Sequence, residues 1–289
     1  MNILSFGGGV DSSAILIHHL MVADLGIDAV VFADTGAESR STYDNIKFFA
    51  GLCGDAELPF HIVRRSGKDG QPTETITEWV TRLGIVPVMP GGSHVCSKKY
   101  KGDVIQAWVR SNYPDQPITY LIGIEANEGR RTKAFTPPKG DTATYRYPLQ
   151  DMGMTRQDCI DLLAEYGVEV AKSSCVFCPF MSHEEIREIR QDAEAWETIK
   201  LVEKNFSEAS SRKHQTWLDE GQPLRLRKAA EPTVTKDGLP VHKISYRAPD
   251  GMWKADSWAN GVRLFTKKHN GKQLSVAEWE QVIDQEELR

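Results

Sequence analysis

The stretch ILSFGGGVDSSAILIHHLM, residues 3–21, decides how this chain is read. Ile3 to Phe6 is a short apolar run of strand character, while Ala14, Ile15, Ile17, Leu20 and Met21 recur with helical spacing, and Gly7, Gly8 and Gly9 turn the chain between them. A glycine turn between a parallel strand and a helix presents backbone N–H groups and the positive end of the helix dipole to an anion. Without side chains in the way, phosphate can approach closely. The turn is predicted to be a phosphate cradle. It is not of the Walker type, because no lysine follows the last glycine, and the dinucleotide spacing G-x-G-x-x-G is absent. Asp11 suits Mg²⁺ or the ordering of the loop, and the hydroxyls of Ser12 and Ser13 can donate to phosphate oxygens. An ordinary glycine turn capped by Asp11 or Ser12 is the plainer reading of the same residues.

Outward from this stretch, strand-like and helical runs alternate, the signature of an α/β fold with a Rossmann-like parallel sheet covered by helices on both faces. The second strand is predicted over Ala29–Ala33, the third over His61–Arg65 and the fourth over Thr119–Ile124. Ligands of such sheets sit beyond the carboxyl ends of the strands. The polar segment after strand two therefore supplies Asp34, Thr35, Gly36 and Glu38 as candidates for Mg²⁺ or adenosine contacts, with a turn capped by Asp34 or Thr35 as the alternative. The end of strand four, from Gly123 to Arg131, supplies Glu128 for Mg²⁺ and Arg130 or Arg131 for phosphate or sulfate oxygens; a solvated loop reads equally from these residues. Ser5, Val10 and Gly123 complete the candidate nucleotide contacts.

The chain has five cysteines, an odd number that argues against a disulfide framework. Cys175 and Cys178 form a C-x-x-C turn able to offer two thiolates to one metal or cluster, and Cys96 and Cys159 can complete a four-sulfur set. A redox pair or two buried thiols fits the C-x-x-C as well. Thiolates suit zinc as well as iron, and His94 or His183 can stand in for Cys159. Cys53 reads as a small buried hydrophobe.

FGGGVDSS resembles the S-G-G-x-D-S loop of the adenine nucleotide alpha-hydrolase (PP-loop) superfamily, with Gly7 in place of the serine. FADTGAE is similar to the second-strand motif of its phosphoadenosine phosphosulfate reductase-like members. The segment from Gly123 follows their G-I-x-x-D-E-x-x-R pattern, with Asn127 in place of the aspartate. CSKKYK, TRQDCIDLLAEYG and KSSCVFCPF resemble the cysteine-bearing segments of members that include DNA phosphorothioation enzymes, so that the likeness covers roughly residues 1–220.

The resemblance implies an ATP pyrophosphatase-type enzyme using ATP and Mg²⁺, with Asp11, Ser12, Glu128 and Arg131 catalytic and a [4Fe–4S] cluster on Cys96, Cys159, Cys175 and Cys178. Adenylylation of an acceptor with release of pyrophosphate would prepare it for sulfur from a donor protein, the acceptor being a nucleic acid or nucleotide. A phosphoadenosine phosphosulfate reductase is a second reading, ranked lower because that chemistry uses a carboxyl-terminal cysteine and none follows Cys178. A nucleotide-sensing or nucleic-acid-binding module without turnover is the third, favoured by Gly7 and Asn127.

Composition fits this frame. The chain of 289 residues is 40% apolar and 26% charged, and its net charge of −5 does not mark a surface coated for nucleic acid. No basic leader precedes the first strand and no apolar run reaches membrane-spanning length, so a cytoplasmic protein without membrane contact is expected. Three segments are predicted: a nucleotide domain with the cysteines (1–183), a helical extension (184–230) and a small α+β appendage (231–289). In the extension, helices over Glu184–Gln191 and Trp196–Phe206 should turn Trp196, Ile199, Leu201 and Val202 onto the sheet, with Trp217 and Leu218 closing the packing. In the appendage, short strands over Val241–Tyr246 and Met252–Lys254 flank a turn at Ala248–Gly251, and a last helix begins with Ser275 as cap, Glu278 as its partner and Trp279 and Val282 facing inward. Arg225, Arg227, Lys228, Lys243, Tyr246, Arg247, Trp253, Lys254, Trp258, Arg263, Lys267 and Lys268 mix bases with aromatics, either as a nucleic-acid face or as a hairpin with buried rings.

Overall fold

The computed structural model describes residues 1–67, 71, 73–87, 94–133, 135, 137, 140–219, 226–228, 233–234, 240–247, 253–259 and 263–287, and for 210–262 and 287 the course of the backbone alone. The chain forms two compact units, Met1–Thr75 with His94–Cys175, and Ile76–Ser93 with Val176–Arg289. The first boundary thus falls at Cys175, before the position 183 expected from sequence, and the segment from Ile76 joins the second unit.

In chain order the elements are β1 (Asn2–Phe6), α1 (Val10–Ile17), β2 (Ala29–Asp34), α2 (Arg40–Asp55), β3 (Phe60–Arg64), α3 (Ile76–Leu83), α4 (Asp103–Asn112), β4 (Thr119–Ile122), α5 (Gly129–Lys133), β5 (Thr144–Arg146), α6 (Pro148–Asp151) and α7 (Arg156–Glu165). A wide helical turn, His18–Val22, continues α1, and another, Cys96–Gly102, leads into α4. The five strands form one sheet in the order β3-β2-β1-β4-β5, and every pairing is parallel.

The α/β class expected from the alternation is what the chain builds. All six residues of β2 are buried, as a strand covered on both faces requires. Side-chain alternation along β1 sorts the two layers: Leu4 and Phe6 enter a core with Val30, Phe32, Leu121, Ile15 of α1, Phe49 of α2 and Leu163 of α7, whereas Ile3 faces Ala29, Val31, Tyr120 and Val104, Ile105 and Val109 of α4. Cys53 lies in the first of these layers as a buried thiol, as read from sequence, and burial pushes it up to about 11. β5 escaped the sequence reading because it is three residues long and mostly polar.

The second unit contains α3, α8 (His183–Arg190), α9 (Ala193–Asp219), β6 (Leu226–Lys228), β7 (Thr233–Val234), β8 (Pro240–Arg247), β9 (Trp253–Ala259), the short pair β10 (Lys268–His269) and β11 (Lys272–Gln273), and α10 (Val276–Glu287). β8 pairs antiparallel with β9 along its length and with β6 and β7 at its two ends. Ser182 with Glu185, and Ser275 with Glu278, close reciprocal caps that start α8 and α10. On α9, Trp196, Ile199 and Val202 are buried as expected, but Leu201 is exposed; within this unit the helix runs against α3, α8 and α10. On α10, Trp279 is buried as expected and Ile283, not Val282, is the second inward residue.

Of the tail residues, Arg263 pairs with Glu278 at 3.4 Å and Lys267 is exposed. Arg225, Met252, Pro232 and the turn Ala248–Gly251 lie outside the described residues, as do the side chains of Trp217, Leu218, Arg227, Lys228, Lys243, Tyr246, Arg247, Trp253, Lys254 and Trp258. Among the described residues no helix is long and apolar enough to cross a membrane.

Candidate functional site

The strand order fixes where a ligand belongs. From β1 the chain steps outward to β2 and β3, then returns to the other side of β1 with β4, so the carboxyl ends of β1 and β4 flank the switch point of the sheet. The glycine loop leaves β1 there, and Gly123 leaves β4. The two segments touch so closely that a Cβ on Gly123 would stand 2.8 Å from the Ser12 nitrogen and 3.1 Å from the Asp11 Cβ. Gly123, named as a nucleotide contact, is thus required first for the close approach of two backbones.

The loop is braced from within. Ser12 Oγ accepts from the Gly7 amide at 3.1 Å and donates to the Gly9 carbonyl at 3.1 Å, so this hydroxyl is spent on the turn rather than offered to a ligand. Gly8 has φ of +71°, which only glycine adopts without strain. Gly9 occupies the N-cap of α1, and no side chain caps that helix. Its first-turn N–H groups therefore keep the partner-seeking character of a helix start. Ser13 is fully buried and its Oγ has no partner among the described residues. Val10 is buried and contributes only its backbone, and Ser5 is the half-buried penultimate residue of the central strand.

Acidic residues at the two strand ends influence one another electrostatically. Asp11 Oδ1 is 2.6 Å from Arg156 Nη1. Burial holds the Asp11 carboxyl above its usual range; Arg156 draws it down, and Glu128 and Glu125 push it up again, which places both glutamates within electrostatic reach. Glu125 is buried and accepts from the Asn127 amide at 2.7 Å, and Glu128 pairs with Arg131 at 2.6 Å. Arg131 is therefore tied to a neighbour on its own turn, while Arg130 is exposed and makes no ion pair among the described residues. Hard oxygen donors of this kind suit Mg²⁺, and Asp11 Oδ2 and Glu128 Oε1 take no hydrogen bond among the described residues. Glu125 and Arg156 were not singled out from sequence. The acidic run after Gly123 was the available signal for Glu125; Arg156 lies in the quoted segment TRQDCIDLLAEYG, but nothing there pointed to Asp11, 145 residues away.

The end of β2 is built differently. Asp34 is buried and saturated: Oδ1 accepts from the Gly36 amide and the Tyr43 hydroxyl, both at 2.8 Å, and Oδ2 accepts from Arg64 Nε at 2.8 Å and Nη2 at 2.6 Å. It braces β2 to β3, where Asp34 and Arg64 are register partners. Burial and the Asp34 carboxylate push the Tyr43 phenol far above its usual value. Thr35 Oγ1 donates to Glu38 Oε1 at 3.0 Å, and Lys101 Nζ reaches the same oxygen at 3.0 Å. The other oxygen of Glu38 is buried without a partner among the described residues. Gly36, with φ of +74°, turns so tightly that a Cβ would lie 2.5 Å from a Thr75 methyl. Asp34, Thr35 and Gly36, expected to meet Mg²⁺ or adenosine, are committed to their own turn.

Cys175 lies against this turn. Its backbone bridges to Glu38, and its sulfur is 3.8 Å from Thr35 Oγ1. Burial pushes the Cys175 thiol well above its usual value, Glu38 and Cys96 add to the rise, and Lys101 opposes it. Burial likewise works against the charge on Lys101, but Glu38 and, behind it, Cys175 and Cys96 outweigh burial and hold Lys101 above the ordinary lysine value. Cys96 and Cys175 thus share one neighbourhood. Cys159 is elsewhere: fully buried in the apolar layer with Leu149 and Leu163, its thiol pushed up to about 12 by burial and by nearby Asp11. Cys178 belongs to the second unit, where its carbonyl accepts from the Met181 amide. His183, the alternative ligand, packs on Trp279 and His269. Among the described residues no three metal-ligating side chains come together, and Cys159, named as a cluster ligand, lies in the apolar layer.

Comparison with known proteins adds little to this geometry. Neither protein-family models nor curated proteins give a match. Among solved structures, a plant nucleoside hydrolase aligns over 98% of this chain and 96% of its own, with 11% identity and a TM-score of 0.27, and a superposition that loose carries no argument.

Proposed function

We propose that this chain is an ATP pyrophosphatase-type enzyme that adenylylates an acceptor in preparation for sulfur transfer. The observation that carries the reading is the uncapped start of α1, packed against Gly123 at the switch point of a parallel sheet, with Asp11 in its first turn. In this reading the amides of Gly8 to Asp11 hold phosphate oxygens, and Asp11 and Glu128 hold the metal through the oxygens they keep free. Bound Mg²⁺ would supply charge neutralisation on the phosphates. An acceptor oxygen attacks the α-phosphorus, the bond to the bridging oxygen of the β-phosphate breaks, and pyrophosphate leaves with the electron pair while the acceptor proton passes to solvent. Hydrosulfide delivered by a donor protein then displaces AMP, the bond to sulfur forming as the bond to the AMP oxygen breaks, and AMP leaves with the electron pair. The acceptor class favoured by the sequence likeness is a nucleic acid or nucleotide.

No step is assigned to the [4Fe–4S] cluster; of its four expected ligands, Cys159 lies in the apolar layer with Asp11 near its thiol. Cys96 and Cys175, beside Lys101 and Glu38, remain the residues suited to a soft metal or to sulfur itself. The test is pyrophosphate release from ATP and Mg²⁺, with and without nucleic acid, alongside the thermal shift produced by each ligand. Binding that occurs only to the folded chain must raise its melting temperature. No shift at millimolar Mg·ATP and no pyrophosphate would end the reading.

A further inference from the structure

We infer that Arg156 is a phosphate-binding residue of this site, held on Asp11 when no nucleotide is present and exchanged onto phosphate oxygens when Mg²⁺ takes Asp11 over. The inference rests on the nucleotide reading above and names a residue which that reading did not assign.

The backbone under Arg156 is fixed by a cap, and its head is held by an ion pair to Asp11. Thr155 and Asp158 form a reciprocal cap, with the Thr155 amide 2.7 Å from Asp158 Oδ2 and the Asp158 amide 3.3 Å from Thr155 Oγ1, so Arg156 opens α7 from a defined position. α7 packs against α1. The loop after β4 is tied to the same place, since the Ala126 amide donates to the Met154 carbonyl at 2.8 Å, two residues before Arg156. Three segments therefore come together around the start of α7: the start of α1, which the guanidinium meets at Asp11, the loop after β4, which is tied to Met154, and α7 itself.

Charge decides what the guanidinium does there. Asp11, Glu125 and Glu128 occupy the first two segments, and an anion would enter against them. Arg156 Nη1 is 2.6 Å from Asp11 Oδ1; the Arg156 side chain is 45% exposed and that of Asp11 is 15% exposed. A cation thus stands on the carboxylate that the nucleotide's metal would need. A divalent ion competes directly for that carboxylate, and the displaced guanidinium keeps a planar fork of donors matched to phosphate oxygens. A surface brace, the plain alternative, would contribute little and would leave ligand binding untouched.

Calorimetry on the full chain separates the two. Arg156→Gln removes the charge at a half-exposed side chain, and its melting temperature serves as the control for folding. The exchange predicts that Arg156→Gln binds Mg²⁺ alone more tightly than wild type, because Asp11 is released, yet binds Mg·ATP about 10- to 100-fold more weakly. Arg156→Lys should recover part of the Mg·ATP affinity, a point charge replacing a fork. Unchanged Mg·ATP affinity in Arg156→Gln reduces Arg156 to a brace and overturns the inference. Unchanged affinity for Mg²⁺ alone overturns the exchange. A wild-type chain that binds neither Mg²⁺ nor ATP takes down the nucleotide reading together with this one, and is recognised by the wild-type titration itself.

Discussion

Two strand ends of the same sheet look alike in sequence and differ in what their polar groups are doing. GGGVDSS after β1 and ADTGAE after β2 each combine glycine, a carboxylate and hydroxyls at the carboxyl edge, where ligands of parallel sheets bind. At β2 most donors and acceptors are engaged: Asp34 takes four hydrogen bonds, and Thr35 and Lys101 both meet one oxygen of Glu38, whose other oxygen has no partner among the described residues. At β1 the helix start is uncapped, and Asp11 faces a single exposed arginine. A motif's composition does not distinguish a brace from a binding edge. The account of hydrogen bonds does.

Mutation should separate the two ends. The largest effect belongs to Asp34→Asn. It weakens the hydrogen bonds that a buried, charged acceptor takes from Gly36, Tyr43 and the largely exposed Arg64, so stability should fall by about 2–3 kcal/mol. Chemical denaturation reads that loss, and Mg·ATP affinity measured well below the melting point should change little. A matching collapse of affinity would merge the two ends into one site. At the other end, Asp11→Ala should leave stability near wild type and cut ATP-dependent pyrophosphate release by about 10²- to 10³-fold, the scale of losing one electrostatic contact in a reacting site. Retained release would remove Asp11 from the chemistry.

Gly123→Ala sharpens the comparison, because its Cβ would press on the Ser12 nitrogen at 2.8 Å, where backbone cannot yield cheaply. The expected cost is about 1–3 kcal/mol together with weaker nucleotide binding. Cys159→Ala should cost about 1–2 kcal/mol of stability, as for other small deletions in a packed core, while leaving any iron or zinc content of anaerobically purified protein unchanged. Metal lost with Cys159→Ala but not with Cys175→Ser would restore Cys159 as a ligand.

The smallest effect is one of pH. The Asp11 carboxyl lies above its usual value of 3.8 in the folded chain, so the folded state favours the proton. That contribution is fully present below the ordinary carboxylate value and is lost as pH rises through the raised one. Without ligand, Asp11→Asn should therefore melt about a degree or two above wild type at neutral pH, with no difference near pH 3. A difference that persists in acid would place its origin outside this carboxyl.

Much of the fold was legible because periodicity reports burial directly. The continuous apolar run of β2, the glycine turn into α1 and the paired Ser275 and Glu278 each state their structure locally. β5 was not legible, being short and polar at a sheet edge. In the site, Asp11 and Glu128 were found because they sit in glycine-bearing strand ends, but the saturation of Asp34 depends on Arg64 and Tyr43, brought in from β3 and α2. Arg156 depends on the packing of α7 against α1. The set of four thiols is implied by the likeness of the cysteine-bearing segments, which does not state that Cys159 lies inward among leucines of the first layer.

The central claim is that the β1–β4 switch point holds nucleotide phosphates. Titration of Mg·ATP into wild type, Asp11→Ala and Asp34→Asn by calorimetry, all at a temperature where each is folded, tests it most directly. The account predicts saturable binding by wild type and Asp34→Asn and its loss in Asp11→Ala. Binding that survives in Asp11→Ala and disappears in Asp34→Asn would contradict it and move the site to the end of β2.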